Sequence, residues 1–151
     1  MPSATPARDT HVAGLICPAT RTPVALEHVD VRAHAVGPCC RVEVRQHFRN
    51  RETVPLELAY VFPLDEGAAV CGFEAIVDGT RFAGRVKPRD EAFADYDDAM
   101  AGGHGAYLLD EERADVFTAS LGNVRPGAEV QLVITYVTQL APEGPALRFS
   151  L

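Results

Sequence analysis

No apolar run in the 151-residue sequence approaches the roughly 20 residues that a membrane-spanning helix needs. The N-terminus, Met-Pro-Ser-Ala-Thr-Pro-Ala-Arg-Asp-Thr, lacks the apolar stretch of a secretory leader, so the expected location is the cytoplasm, with no membrane partner. Clustered lysine and arginine are missing as well. The 14 bases are outnumbered by 21 acids, for a net charge of −7, and phosphate recognition depends on grouped cations, so no nucleic acid partner is expected. The 4 cysteines form no Cys-x-x-Cys spacing. Cys39 and Cys40 are adjacent, while Cys17 and Cys71 sit in apolar, strand-like stretches, so all four read as reduced and mostly buried thiols without a metal.

What is present is alternation. Residues 1–10 have no period and read as a flexible tail, and residues 11–151 read as one domain. Val24 and Leu26 share one parity but Val29, Val31, Ala33 and Ala35 share the other; this slip near Glu27 and His28 predicts a bulge or bend. Val42, Val44, Gln46 and Phe48 then point one way and Arg41, Glu43, Arg45 and His47 the other. After a turn at Asn50-Arg51-Glu52, Leu56, Leu58, Tyr60 and Phe62 alternate up to Pro63, whose missing N–H suits the end of a strand. Residues 69–77 lead into Asp78-Gly79, the signal for a type I′ hairpin, with Phe82, Gly84 and Val86 on the returning arm.

Periodicity changes at Pro88. Ala92, Phe93, Tyr96, Ala99 and Met100 make one apolar stripe at helical spacing, and Gly102-Gly103 supplies a C-terminal stop, which predicts one short amphipathic helix over 88–101. Strands resume at Ala106–Leu109, at Val116–Leu121 and, after the Pro126-Gly127 turn, from Val130 to Leu140, with Leu147, Phe149 and Leu151 as a last short strand. Many short alternating strands without strand–helix repetition predict a mainly β fold, an antiparallel β-sandwich-like domain with one helix. Phe62, Phe73, Phe93, Tyr96, Phe117, Leu132, Ile134 and Tyr136 are its expected core.

The net charge is localised. Between Arg89 and Asp115 there are nine acids and two bases, which accounts for the whole −7, and the remainder is neutral. Asp97 and Asp98 fall near the end of the predicted helix where the dipole disfavours anions, so they serve solubility or dock a basic partner. Asp110, Glu111 and Glu112 read as a solvated turn, since their spacing is not that of a calcium loop.

His104 lies among glycines where a ligand could approach closely. No nearby Cys or Ser has an activating arrangement, Ser120 is not in a Gly-x-Ser-x-Gly elbow, and the glycines follow a helix instead of opening one as a phosphate loop does. No catalytic, cofactor-binding or metal residue is therefore assigned, and Asp95, Asp97, Asp98, His104 and Asp110 are the candidate interaction surface. The competing reading is a small β-sandwich hydrolase or metal-dependent enzyme that combines His104 with nearby carboxylates. A third is a structural subunit assembling through an exposed strand edge.

The order of segments also carries a resemblance. Pro55-Leu-Glu-Leu-Ala-Tyr-Val-Phe-Pro-Leu64, Gly72-Phe-Glu-Ala, Glu91-Ala, Tyr96-Asp-Asp-Ala, Gly103-His-Gly-Ala-Tyr-Leu-Leu109, Val116-Phe-Thr, Gly122-Asn and Pro126-Gly together resemble the vault protein inter-alpha-trypsin (VIT) domain. The Gly-His-Gly-Ala-Tyr-Leu segment is more similar to the intracellular branch, which includes von Willebrand A domain-containing proteins and the vault poly(ADP-ribose) polymerase, than to the secreted heavy chains. The resemblance implies a noncatalytic interaction or scaffold module, with no catalytic role for His104. It also implies that this chain is the N-terminal part of a longer protein, continuing past Leu151 toward a von Willebrand A domain. In the family the helix is mixed or basic, so the acids here depart from its pattern.

Overall fold

The computed structural model describes residues 14–65, 67–83, 107–113 and 116–151. Twelve strands account for the regular structure among them: β1 (Gly14–Cys17), β2 (Thr22–Pro23), β3 (Leu26–Val36), β4 (Cys39–Arg49), β5 (Leu56–Pro63), β6 (Ala69–Val77), β7 (Thr80–Ala83), β8 (Tyr107–Arg113), β9 (Val116–Val124), β10 (Glu129–Gln139), β11 (Ala141–Glu143) and β12 (Ala146–Arg148). They form two five-stranded sheets, ordered β2-β1-β5-β9-β8 and β3-β4-β10-β6-β7, plus the small pair β11-β12. Every pairing is antiparallel. The mainly β, antiparallel expectation is met. The predicted helix over 88–101, with Phe93 and Tyr96, lies outside the described residues.

Alternation in β4 explains why it forms where it does. Val42, Val44, Gln46 and Phe48 are all buried, while Arg41, Glu43, Arg45 and His47 face outward between the neighbouring strands. β10, paired with β4 on one side and β6 on the other, is the central strand of its sheet. That position buries Val133, Thr135 and Thr138 as well as the inward Val130, Leu132, Ile134 and Tyr136. The phase slip at Glu27 is a bulge: Leu26 lies opposite Phe48 but His28 lies opposite His47. The Asp78-Gly79 hairpin is also as expected, with φ of 48° at Asp78 and 81° at Gly79, the two positive angles that a type I′ turn requires.

The inner faces of the two large sheets share one core. Leu15, Leu58, Tyr60, Phe62, Phe117 and Leu121 from one sheet pack with Val42, Phe48, Phe73, Leu132, Ile134 and Tyr136 from the other. Ring contacts tie the sheets: Tyr60 to Phe73 with centroids 6.0 Å apart, and Phe62 to Tyr136 at 5.9 Å. Between them Tyr60 Oη donates a 2.7 Å hydrogen bond to Gln46 Oε1, so the Gln46 amide oxygen is satisfied by the opposite sheet. Burial pushes the Tyr60 phenol far above its ordinary value and, with the charge of Asp65 adding, pushes Tyr136 up to about 12.

Three expectations are corrected. The last short strand, expected through Leu147, Phe149 and Leu151, is β12 and ends at Arg148, because it pairs only with the three residues of β11 in a separate hairpin and joins neither large sheet, which leaves all three apolar residues exposed. Asp110, Glu111 and Glu112 lie within β8, which pairs with β9 and absorbs one extra residue between Asp110 and Arg113; a bulged edge strand takes the place of the expected turn. Only Cys17 and Cys40 of the four free thiols are buried, since Cys39 and Cys71 face outward on their strands.

Candidate functional site

Of the expected interaction residues, Asp95, Asp97, Asp98 and His104 lie outside the described residues. Asp110 is placed by its backbone opposite Thr118, on β8 at the edge of its sheet. The fold thus puts the described end of the acidic segment on a sheet edge, and it brings none of the other four to a described position.

A cleft that the sequence reading did not anticipate opens beside β1 and β2. Its volume is about 380 Å³, and its walls come from the chain around Cys17–Ala25 and from the segment carrying Arg49, Arg51, Glu52, Val54 and Leu56. Local chemistry explains its shape. Pro18 follows β1 and Arg21 takes a left-handed φ of 54°, so the chain folds back sharply from Cys17 to Thr22, which lie opposite each other. Across the cleft, Asn50 holds the other wall. Its Nδ2 donates to the carbonyls of Val124 (3.0 Å), Arg125 (3.1 Å) and Val54 (3.2 Å), and its Oδ1 accepts from the Glu52 N–H (2.9 Å). The Asn50 backbone also pairs with Ala128 and Gly127.

Arg49, Arg51 and Glu52 line one rim, and both arginines are ion-paired. Glu27, the bulge residue of β3, accepts from Arg51 at 3.0 Å and meets Arg49 Nε at 3.5 Å, and Arg49 pairs again with Glu129. The hydrogen bond from Arg51, with the charge of Arg49 behind it, holds the Glu27 carboxyl below the usual carboxylate range. These are exposed ion pairs, each of small energetic value. At the floor, hydrogen bonding from the Thr20 side chain and backbone lowers the Cys17 thiol below its ordinary value against the opposing effect of burial. Among the described residues no histidine lines the cleft, and no group of three or more His, Cys, Asp or Glu is gathered at metal-binding distance. The arrangement offers a small polar-rimmed recess whose two arginines are held in ion pairs with Glu27 and Glu129.

Sequence signals for this region were present but bland. Arg49-Asn50-Arg51 closes an alternating strand, and the slip at Glu27 marks the residue that turns toward it, yet neither pattern tells a turn from a hydrogen-bonding hub.

Comparison with known proteins bears on what such a domain is. The sequence model of the vault protein inter-alpha-trypsin domain matches residues 26–136, a span that runs from β3 nearly through β10. The chain is 43% identical over 131 residues to the mouse protein mono-ADP-ribosyltransferase PARP4, covering 87% of this chain and 7% of that protein. It is 38% identical over 144 residues to mouse von Willebrand factor A domain-containing protein 5A, covering 93% of this chain and 18% of that protein. A similarity of 26% over 110 residues extends to a von Willebrand factor A domain-containing protein of Dictyostelium discoideum. The chain therefore spans less than a fifth of the length of these relatives. With a family match over most of its length, and with both large sheets carried mostly by matched residues, this chain belongs to the vault protein inter-alpha-trypsin domain family.

Proposed function

We propose that the domain is a noncatalytic protein-interaction module of a VIT plus von Willebrand A type protein, working in the cytoplasm as a scaffold with a von Willebrand A domain after it. One observation carries this reading. The same domain is found in relatives whose names differ, a mono-ADP-ribosyltransferase and von Willebrand factor A domain-containing proteins, and it makes up only 7% and 18% of them. A segment shared by proteins of unlike description is best understood as a portable module whose surfaces do its work. The four free thiols favour a reducing compartment, and the cleft rim, with Arg49 and Arg51 each paired to Glu27, suits polar contacts.

The partner in this proposal is basic, since residues 89–115 carry the whole net charge of −7. Long-range attraction speeds association and is screened as ionic strength passes about 0.15 M, where the Debye length is ~8 Å. Replacing Asp95, Asp97 and Asp98 together by Asn is expected to slow association with a captured basic partner several-fold at low salt, with little change in the unfolding midpoint. Rates that are equal for parent and triple variant, and insensitive to salt, would remove the docking role. The hydrolase reading is tested beside it by His104→Ala: any hydrolytic activity of the purified protein is expected to be unchanged, and its loss from a folded variant would reverse the assignment.

A further inference from the structure

The two large sheets have four edges, and three of them are blunted among the described residues. β2 is two residues long and ends in Pro23, which has no N–H to offer. β7 is four residues long, with Arg81 at its centre. β8 is bulged and carries Asp110-Glu111-Glu112. β3 is different. It has eleven residues, no register shift from His28 to Val36, and no described strand on its outer side. Such an edge presents unpaired backbone donors and acceptors to any strand that can lie beside it. Its inward-facing row, Val29, Val31, Ala33 and Ala35, is incompletely covered: Val29 is 41% exposed.

The sequence of β3 fits its own reverse. In an antiparallel pair of two copies, opposed residues must sum to an even number, because only alternate residues direct N–H and C=O to the open edge. Centring the pair on Val31 places Asp30 of one copy opposite Arg32 of the other, twice, with Val29 opposite Ala33 and Val31 opposite itself. The two adjacent permitted registers fail. One sets Asp30 against Asp30, and the other sets Arg32 against Arg32, each a like-charge pair at the two-fold axis. In the single chain Asp30 and Arg32 are neighbours on one face, 3.7 Å apart, opposite Arg45 and Glu43 of β4, and their solvent-exposed side chains can also reach a second copy on the open side.

We propose that this protein self-associates through β3, joining two copies about a two-fold axis at Val31 into one continuous ten-stranded antiparallel sheet. The partner is a second copy of the chain. Seven residues on each side, His28 to His34, span roughly 23 Å, so the contact is small and the dimer is expected in the micromolar range or weaker. Charge does not oppose it locally, because the chain outside residues 89–115 is neutral.

Sedimentation of the 151-residue chain from about 1 μM to about 1 mM tests this directly, with a concentration-dependent monomer–dimer equilibrium expected. Asp30→Arg and Arg32→Asp each put like charges opposite one another, and each is expected to raise the dissociation constant about tenfold or more. The double exchange, Asp30→Arg with Arg32→Asp, restores opposite charges and is expected to bring the dimer back. Val31→Cys supplies a second readout that does not depend on charge. Opposed Cα atoms at the axis lie within disulfide reach in either kind of antiparallel pair, so mild oxidation should give a linked dimer beyond any formed by the parent's exposed Cys39 and Cys71. A chain that stays monomeric throughout, a dimer indifferent to the single exchanges, or a double exchange that fails to recover it while still folded would overturn the proposal.

Discussion

Phe117→Ala is expected to lower the unfolding free energy by about 3–5 kcal/mol, a large share of the 5–15 kcal/mol typical of a domain. Phe117 is buried on β9, directly opposite Phe62 of β5, whose ring packs on Tyr136 of the facing sheet. Truncation thus removes the side chain that backs the contact between sheets, and a sandwich interior cannot close over the space without moving a strand. In a chain of this length such a loss corresponds to roughly 6–20 °C in the thermal midpoint. Phe149→Ala provides the contrast. Phe149 follows the β12 hairpin and is 39% exposed, so its removal should cost less than about 1 kcal/mol. Equal shifts for the two variants in thermal or urea unfolding would show that the core is not where the packing puts it.

That contrast also marks the limit of what alternation reveals. Leu147-Arg-Phe-Ser-Leu151 alternates as cleanly as Val42-Glu-Val-Arg-Gln46, yet only the second is core. The difference is tertiary: β4 has β3 and β10 on its flanks and a second sheet beneath it, whereas β12 has only β11. Period two tells which residues share a face and not whether anything covers that face. β1 shows the opposite failure. Its four residues, Gly14–Cys17, are too few to display a period, but Leu15 is wholly buried. Where local chemistry is decisive, the sequence was readable. The positive φ at Asp78 and Gly79, the end of β5 at Pro63 and the bulge at Glu27 each follow from a residue's own geometry or from a break in phase.

The site was less legible for the same reason. The cleft is made by Cys17 and Thr20 meeting Arg49, Arg51 and Glu52 from a segment 30 residues away, and no spacing announces that meeting. The Tyr60–Gln46 hydrogen bond likewise joins different sheets, so Gln46 reads from sequence as an imperfect strand position when it is a satisfied core amide. The net charge, by contrast, was localised by counting alone, and the described part of that segment reaches the β8 edge.

Asn50→Ala and Asn50→Asp are expected to act on the hub of the cleft in different ways. Asn50 is 1% exposed, and its side chain supplies partners to the carbonyls of Val54, Val124 and Arg125 and to the N–H of Glu52. Alanine removes all of these at once. Each buried polar group left without a partner costs about 1–3 kcal/mol, and water entering from the cleft side satisfies some of them, so a loss of about 3 kcal/mol or more follows, independent of pH. Aspartate keeps the acceptor for Glu52 but sets a carboxylate against three carbonyl oxygens, which raises its folded pKa above the unfolded value of about 3.9. The sign of the pH effect follows from proton counting. Between those two pKa values the folded state holds a proton that the unfolded state has released, so stability falls as pH rises through that window and levels off above it. The Asp variant should therefore be as unstable as the Ala variant, or more so, at pH 7, and should regain stability relative to it as pH is lowered toward 4, where the protonated acid donates to a carbonyl. Urea unfolding of parent and both variants across pH 4–8 checks this. An Ala variant as stable as the parent would mean that the wall of the cleft is held by the Ala128 and Gly127 backbone bonds alone, and an Asp variant that tracks the Ala variant at every pH would mean that the carboxylate is not held against those carbonyls.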